Sequence, residues 1–221
     1  NQTEDDCIVL NYDDKVLREF GEKKDLKPKV IFFSSTQTLK EGMYLDGDMM
    51  IYAHDGKKEE VLNVKTDMQL LGKHNYENVM AAVAMSIRMG VPMDCIRKAV
   101  KEFQAVEHRI EFVLERSGVR YYNDSKGTNP DAAIQAIRAM PGPTVLIAGG
   151  YDKHSEYDEW IEEFGDKVKY LVLIGQTRDK IAECARAHGF TDIMYAEDMA
   201  EAVRVCAAYA NAGDNVLLSP A

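Results

Sequence analysis

The sequence predicts an α/β protein, with a Rossmann-like, mostly parallel open sheet in its second part, preceded by a partial α/β unit of different pattern. Two observations carry this expectation. After about Val106, short apolar runs alternate with helical patterns, and such alternation implies crossover connections between parallel strands. The runs Val145-Leu146-Ile147 and Leu171-Val172-Leu173-Ile174 are apolar on both faces, as strands covered by helices on each side must be.

In chain order, residues 6–10 give a short apolar strand signal, and Asn11-Tyr12-Asp13-Asp14 is a turn or cap cluster ahead of a short helix at 15–20. Residues 30–33 read as another strand. Residues 48–53 and 61–64, with Asp55-Gly56 between them, read as a β-hairpin. These small pieces suggest the edge of a sheet rather than its centre. From Tyr76, Val79, Ala82, Val83 and Ile87 recur at helical spacing until Gly90-Val91-Pro92 interrupts them. A second helix places Ile96, Ala99, Val100 and Phe103 on one face and Arg97, Lys98, Lys101 and Glu102 on the other. Two adjoining helices close a domain, so the chain divides into domains 1–107 and 108–221.

In the second domain, residues 109–114 and 119–122 flank Ser117-Gly118 as a hairpin or two adjacent strands, and a helix at 131–140 stops at Pro141-Gly142-Pro143. Strands at 144–148, 170–174, 192–195 and 215–218 then alternate with helices at 156–164, 178–188 and 199–210. Ligands of open α/β sheets collect at the carboxyl ends of the strands, where Asp124-Ser125-Lys126, Gly149-Gly150 and Gly175-Gln176 fall. The glycine fingerprint G-x-G-x-x-G is missing, which argues against a dinucleotide oxidoreductase.

Composition narrows the function further. With 46% hydrophobic and 29% charged residues the chain belongs among folded globular proteins. A net charge of -10 argues against a nucleic-acid partner, because such surfaces work by releasing counterions from phosphates, but it leaves anionic small molecules open. Cys7, Cys95, Cys184 and Cys206 lie far apart with no C-x-x-C pair, and buried free thiols are the reading ahead of disulfides or zinc ligation. No run approaches the ~18 apolar residues of a membrane span, and Glu4, Asp5 and Asp6 do not suit a signal peptide. A reducing cytoplasm fits these features. The start at Asn1 and the end at Leu218-Ser219-Pro220-Ala221, directly after a strand-like run, read as those of a fragment.

The stretch Asn123-Asp124-Ser125-Lys126-Gly127-Thr128-Asn129-Pro130 gathers a carboxylate, an ammonium, two hydroxyls and amides around what reads as an unpaired helix N-terminus. Such a terminus attracts anions through its free N–H groups and dipole. Asn129 suits the cap, Pro130 needs no donor, and Asp131 favours the dipole. Capping alone leaves Asp124 and Lys126 unexplained. Asp124 suits a nucleotide hydroxyl or a metal-bound water, Lys126 a carboxylate or a transferring phosphoryl group, and Thr128 a carboxylate. Lys153, after the paired Gly149 and Gly150, is either a flexible cation at the ligand edge or a solvated loop lysine. His154 carries less weight as an acid or base. His74 or Asn75 could cap the first long helix, or Asn75 and Asn78 could address a purine or ribose. Arg109 could reach phosphates, and by itself is weak evidence.

Together, Gly72-Lys73-His74-Asn75 with Asn78, His108-Arg109, Asn123-Asp124-Ser125-Lys126 with Thr128-Asn129, Gly149-Gly150 with Asp152-Lys153, and the terminal Leu218-Ser219-Pro220-Ala221 resemble the Mur ligases over essentially the whole chain. The order of residues from Asn123 to Asn129 resembles the members that add D-glutamate. The resemblance implies an ATP-dependent acid–amino-acid ligase of peptidoglycan synthesis, with ATP, UDP-N-acetylmuramoyl-L-alanine and D-glutamate as substrates. In the family a substrate carboxylate attacks the terminal phosphate of ATP to give an acyl phosphate, and the amine of D-glutamate then displaces phosphate. Magnesium, as two ions, a monomeric state and no membrane insertion are implied as well.

Carried over by position, Asn75, Asn78, Arg109 and Asp124 bind ATP, while Lys126, Thr128 and Lys153 hold D-glutamate and the intermediate. Lys126 and Asp124 are the catalytic pair, and His74, His108, Ser125 and Asn129 support the site. No metal ligand is assigned within the chain, because the family's Gly-rich phosphate loop, metal-binding glutamate and histidine, and carbamylated lysine are expected before Asn1. The closing segment is expected beyond Ala221, so the chain alone is expected not to complete ligation. Gly127 stands where many relatives have Ala, which implies a looser loop. Another Mur-type amide ligase and a nonenzymatic nucleotide-binding domain are the competing readings.

Overall fold

The computed structural model describes residues 2–104 and 106–221, and the chain divides into two units after Gln104. In the first unit, β1 (Cys7–Asn11), β2 (Lys29–Ser34), β3 (Gly42–Asp46), β4 (Met49–His54) and β5 (Lys57–Asn63) form one five-stranded sheet in that spatial order. β1, β2 and β3 are parallel neighbours, and β3, β4 and β5 form an antiparallel meander. The Asp55-Gly56 turn is present as expected, with φ of 50° and 71°, the left-handed pair that a tight hairpin needs.

The expected sheet edge is instead a sheet with its own core. β3 has no counterpart among the expected strands, and β5 begins at Lys57 rather than at residue 61. The reason is composition. Met43 and Met50 fill the core where β-branched residues would give a clearer signal, and β5 opens with the charged run Lys57-Lys58-Glu59-Glu60, mostly exposed beside β4. Gly42, at φ 116°, begins β3 because a Cβ there would meet the Phe32 carbonyl oxygen at 2.2 Å.

α1 (Lys15–Gly21) is capped by Asp14, whose carboxylate accepts from Leu17 N–H. α2 (Lys73–Arg88) buries Tyr76, Met80, Val83 and Ala84, one helical stripe, in the cluster that also holds Met43, Met50, Leu62 and Ile96 of α3 (Met93–Glu102).

The second unit comprises β6 (Glu111–Arg116), β7 (Val119–Asn123), α4 (Pro130–Ala139), β8 (Thr144–Ala148), α5 (Asp158–Glu162), β9 (Val168–Leu173), α6 (Arg178–Ala187), β10 (Ile193–Tyr195), α7 (Met199–Tyr209) and β11 (Asn215–Leu218). Its sheet runs β10-β9-β8-β11-β7-β6, parallel except for β6 against β7. This is the open, mostly parallel sheet that the alternating pattern predicts.

Both faces of its centre are covered. Val145, Ile147, Val172 and Val216 form a core cluster with Ala202 and Cys206 of α7, and the alternating Leu146, Leu171, Leu173 and Leu217 are fully buried as well. The chain steps outward through β8, β9 and β10, then returns to insert β11 between β7 and β8. That reversal puts a switch point at the carboxyl ends of β7, β11 and β8, where doubly wound sheets take ligands. Of the cysteines, Cys206 is buried as expected, whereas Cys95 is exposed and Cys7 and Cys184 are half-buried. Among the described residues no helix is long and apolar enough to cross a membrane.

Candidate functional site

At the end of β7 the chain turns under itself. Asp124 is 3% exposed, and its backbone N–H donates to the Leu218 carbonyl at 2.7 Å, which continues the ladder onto β11. Its Oδ1 accepts from the Ile110 N–H at 3.1 Å and its Oδ2 from the Ser219 hydroxyl at 2.8 Å. Burial pushes the Asp124 carboxyl up from its usual range, opposed by those two hydrogen bonds and by the charge of Arg109. Each Asp124 oxygen thus accepts one hydrogen bond from inside the protein, and the pair holds the loop to Ile110 and Ser219.

Gly127 is part of the same corner. A Cβ there would stand 2.1 Å from Asp124 Oδ2 and 2.9 Å from Ser219 Oγ. The glycine therefore lets the loop close on the carboxylate, the opposite of the loosening expected of it. Gly127 N–H donates to the Asp124 carbonyl at 2.7 Å, and the Gly127 carbonyl accepts from Ala221 N–H at 3.0 Å.

The helix end is also less open than expected. Pro130 has no N–H, Asn129 Oδ1 accepts from Ala132 N–H at 2.9 Å, and the Asn129 carbonyl accepts from Ala133 N–H, so α4 is largely self-capped. The asparagine that marks the helix start in the sequence is the group that takes the donors an anion would use.

What faces outward is cationic. Lys126 is exposed, and its backbone N–H donates to the His108 carbonyl at 3.0 Å. Lys153, from the loop after β8, donates from Nζ to the Thr128 carbonyl at 3.0 Å, so two separate sequence motifs meet at one edge. Gly149 lets the loop after β8 lie against the end of β9: at φ 98°, a Cβ would meet the Ile174 carbonyl oxygen at 2.2 Å. Gly149 N–H donates to the Pro220 carbonyl and Gly150 N–H to Thr177 Oγ1, which ties in the ends of β11 and β9. Arg109 is exposed, Thr128 is half-buried, and His154 is exposed with its N–H held by Asp152 Oδ1 at 2.7 Å.

His108 supports the loop through its ring. Asn123 Oδ1 accepts from Ser125 N–H at 3.0 Å, which turns Asn123 Nδ2 toward His108 Nδ1 at 2.9 Å and makes that ring nitrogen the acceptor.

In the first unit, Asn75 Nδ2 donates to the Leu71 carbonyl at 2.6 Å, closing the Gly72 turn that starts α2. His74 is half-buried and Asn78 exposed on the following turn. A network that the local sequence does not reveal anchors this helix end. Asp13 accepts from the hydroxyls of Ser34 and Thr36 and from Ser35 N–H, and the Ser35 hydroxyl also meets Glu77 of α2. Although burial alone would raise it, these hydrogen bonds together hold the Asp13 carboxyl down at about 2. Ser219 is likewise absent from the expected site residues. Its signals in the sequence are its place in the terminal Leu218-Ser219-Pro220-Ala221 motif and a hydroxyl directly after an apolar strand at the ligand edge. A cavity of about 440 Å³ lies beside the start of α4, but Asp131, Glu156, Asp158 and Glu159 among its lining residues make it unsuited to an anion.

A doubly wound α/β domain has its ligand-binding edge at the switch point, and here that edge carries lysines from two loops, a positive charge of the kind that suits anions. The sequence profile described as Mur ligase, glutamate ligase domain, matches residues 108–221, and that of the Mur ligase middle domain matches residues 1–86. The chain belongs to the Mur ligase family. It is 52% identical over 220 residues to the UDP-N-acetylmuramoylalanine–D-glutamate ligase of Lachnoclostridium phytofermentans and 54% identical over 221 residues to that of Lachnospira eligens. Both alignments take in all of this chain and 48% of the relative, so the chain spans about half the length of the relatives it matches. Solved structures share the fold at low identity: the UDP-N-acetylmuramate-alanine ligase MurC of Thermotoga maritima, with a TM-score of 0.66 at 13% identity over 97% of this chain and 48% of the other, is one. The MurF ligase of Thermotoga maritima in complex with ADP is another, with a TM-score of 0.62 at 17% identity over 97% of this chain and 50% of the other.

Proposed function

We propose that the chain is part of an ATP-dependent ligase that joins D-glutamate to UDP-N-acetylmuramoyl-L-alanine through an acyl phosphate, releasing ADP and phosphate. Residues 1–107 belong in this reading to the central ATPase domain, and residues 108–221 to the domain that takes the amino acid. The observation that carries the reading is Lys153 Nζ on the Thr128 carbonyl at 3.0 Å, which sets one ammonium against the loop that presents the other, Lys126. The two relatives above bear the name of this activity, and they match the chain along its whole length.

D-Glutamate brings two carboxylates and an amine. Lys153 and the Thr128 hydroxyl bind a carboxylate, and Lys126 stabilises the negative charge that develops when the amine adds to the acyl phosphate. Asp124 acts by position: with Ser219 it fixes the Lys126–Thr128 backbone, supported by His108, Ser125 and Asn129. Arg109 meets phosphate oxygens of ATP. In the first unit Asn75 and Asn78 address the adenine, with His74 beside them. The loop's own carboxylate, Asp124, is buried with a hydrogen bond on each oxygen, and the groups that face outward are the ammoniums of Lys126 and Lys153, so the residues at this edge do not fit a magnesium ion.

ADP release by the longer protein containing this chain tests the reading. Release is expected to require UDP-N-acetylmuramoyl-L-alanine and D-glutamate together, with D-glutamate preferred over L-glutamate, D-alanine and diaminopimelate. Equal turnover with another amino acid would replace the proposed activity with that of a different amide ligase.

A further inference from the structure

Two pairs of ligand-type side chains lie on α5 and α6, and one of them, through Asp158, borders the cavity at the start of α4. Asp158 and Glu162 stand four residues apart on α5. Cys184 lies on α6, and His188, four residues later, is its C-terminal cap. This spacing puts each pair on one helix face. Ligand atoms of Asp158, Cys184 and His188 all lie within 4.8 Å of one another, and His188 Nε2 is 3.6 Å from Asp158 Oδ1 and 3.7 Å from Glu162 Oε1.

His188 Nδ1 lies 3.0 Å from the Cys184 carbonyl oxygen, which can only accept, and 3.9 Å from Cys184 Sγ, so Nδ1 carries a proton and Nε2 is the ring nitrogen open to an ion. In the neutral ring Nε2 then points its lone pair at two carboxylate oxygens, three acceptors around one gap. A backbone carbonyl on the far ring nitrogen is also how ligating histidines are oriented. Lys180, one turn before Cys184, does not fill the gap, since its ammonium donates to the Ser155 carbonyl at 2.8 Å and lies 3.7 Å from Asp152.

We propose that Asp158, Cys184 and His188, with Glu162 as fourth ligand, form a zinc-class metal site that clips α5 to α6. One thiolate, one imidazole and carboxylates make a borderline-soft set, which suits Zn²⁺ and Co²⁺, whereas Mg²⁺ and Ca²⁺ take all-oxygen shells. On a tetrahedral ion a nitrogen and an oxygen ligand, each bonded at about 2.0–2.2 Å, stand about 3.3–3.5 Å apart. The two separations from Nε2, 3.6 and 3.7 Å, are slightly longer, so small side-chain rotations close the carboxylates on the ion and bring in the thiol. Asp158 and Glu162 are 65% and 66% exposed, so an ion reaches the site from solvent. Binding displaces the thiol proton to solvent, and the ion takes its place on Sγ.

Cobalt(II) titration of the chelator-treated 221-residue chain, read by visible and near-ultraviolet absorption, tests the site. One equivalent of Co²⁺ is expected to give tetrahedral ligand-field bands with thiolate-to-cobalt charge transfer, both displaced by Zn²⁺. Zn²⁺ should also raise the melting temperature where Mg²⁺ does not. Cys184→Ser should abolish the charge-transfer band, and His188→Gln and Asp158→Asn should each weaken binding tenfold or more. Cys95→Ser, an exposed thiol in the other unit, should change nothing. The site would be overturned by a titration without the charge-transfer band, or by unchanged Co²⁺ affinity in His188→Gln. If Cys184→Ser alters the circular dichroism spectrum, the histidine and aspartate variants decide for or against the ligand set independently. A melting temperature that Zn²⁺ leaves unchanged would make His188 a plain bridge between the two carboxylates, and the metal site would be overturned by that result too.

Discussion

The Ser219 hydroxyl donates to Asp124 Oδ2 at 2.8 Å, joining the carboxyl ends of two neighbouring parallel strands at a corner where the serine is fully buried. A hydrogen bond to a charged, buried acceptor contributes about 1.5–3 kcal/mol, because the alternative is a carboxylate with an unsatisfied oxygen. Ser219→Ala is expected to lower the urea-unfolding free energy of the second unit by about 1–3 kcal/mol. Ser125→Ala, at a half-buried loop position, should cost under about 0.5 kcal/mol. Equal effects of the two substitutions would show that the corner is not held by this bond.

Gly127→Ala tests the same corner from the other side. Alanine restricts the unfolded chain, which favours folding by about 0.4–1 kcal/mol, but its methyl would sit 2.1 Å from Asp124 Oδ2. Overpacking of that kind costs about 1–3 kcal/mol, so the net effect is destabilising. The cost should fall when Ser219→Ala is already present, since the carboxylate is then free to turn away. A double-mutant cycle that comes out additive would mean that Gly127 and Ser219 act on Asp124 independently.

Much of this is legible in the sequence, and the exceptions share a cause. The doubly wound unit follows from apolar runs such as Val145-Leu146-Ile147, because strands buried on both faces leave an uninterrupted signal. β3 is hidden because Gly42-Met43-Tyr44-Leu45-Asp46 has neither β-branched residues nor a clean alternation. At the site, motif positions locate Lys126, Thr128 and Lys153 at one edge. The direction of Asp124 cannot be read, since a carboxylate facing a ligand and one facing Ser219, ninety-five residues away, have the same local sequence. Asp13 is hidden the same way. Its neighbour Asp14 makes the local cap that sequence reveals, while Asp13 reaches across to Ser34, Ser35 and Thr36 on the next strand's end.

Those two carboxyls give the units opposite responses to acid. Asp13 is held at about 2 against a usual value of 3.8, so its contribution to stability is present above pH 3.8 and is lost as pH falls toward 2. With allowance for solvent screening of a partly exposed group, that contribution is about 1–2 kcal/mol. Asp124 is shifted the other way by burial, so its contribution is present below 3.8 and is lost as pH rises through its folded value. Asp13→Asn is expected to flatten the acid limb of the first unit's stability curve, measured by urea melts from pH 2 to 5. Asp124→Asn should remove a loss on the rising side in the second unit. An Asp13→Asn curve parallel to that of the unaltered chain would mean the hydrogen bonds from Ser34, Ser35 and Thr36 are not formed in solution.

The roles proposed for the two lysines separate stability from catalysis. Lys153 is exposed and its ammonium bonds a single backbone carbonyl, so Lys153→Met should cost under about 0.5 kcal/mol of folding stability. A carboxylate of D-glutamate would lose a charge-assisted contact worth about 1.5–3 kcal/mol, which corresponds to a rise in KM for D-glutamate of about tenfold or more. Lys126→Met removes a charge acting mainly on the developing negative charge of the addition step, so kcat should fall more than KM rises. Both measurements belong in the longer protein, with melting temperature followed in parallel. The reading predicts that Lys153→Arg restores part of the lost affinity, because a guanidinium keeps the charge at the strand edge. If Lys153→Met instead melted early with an unchanged KM, the lysine would be a strut between the loops after β7 and β8, and the amino acid would have to be held elsewhere.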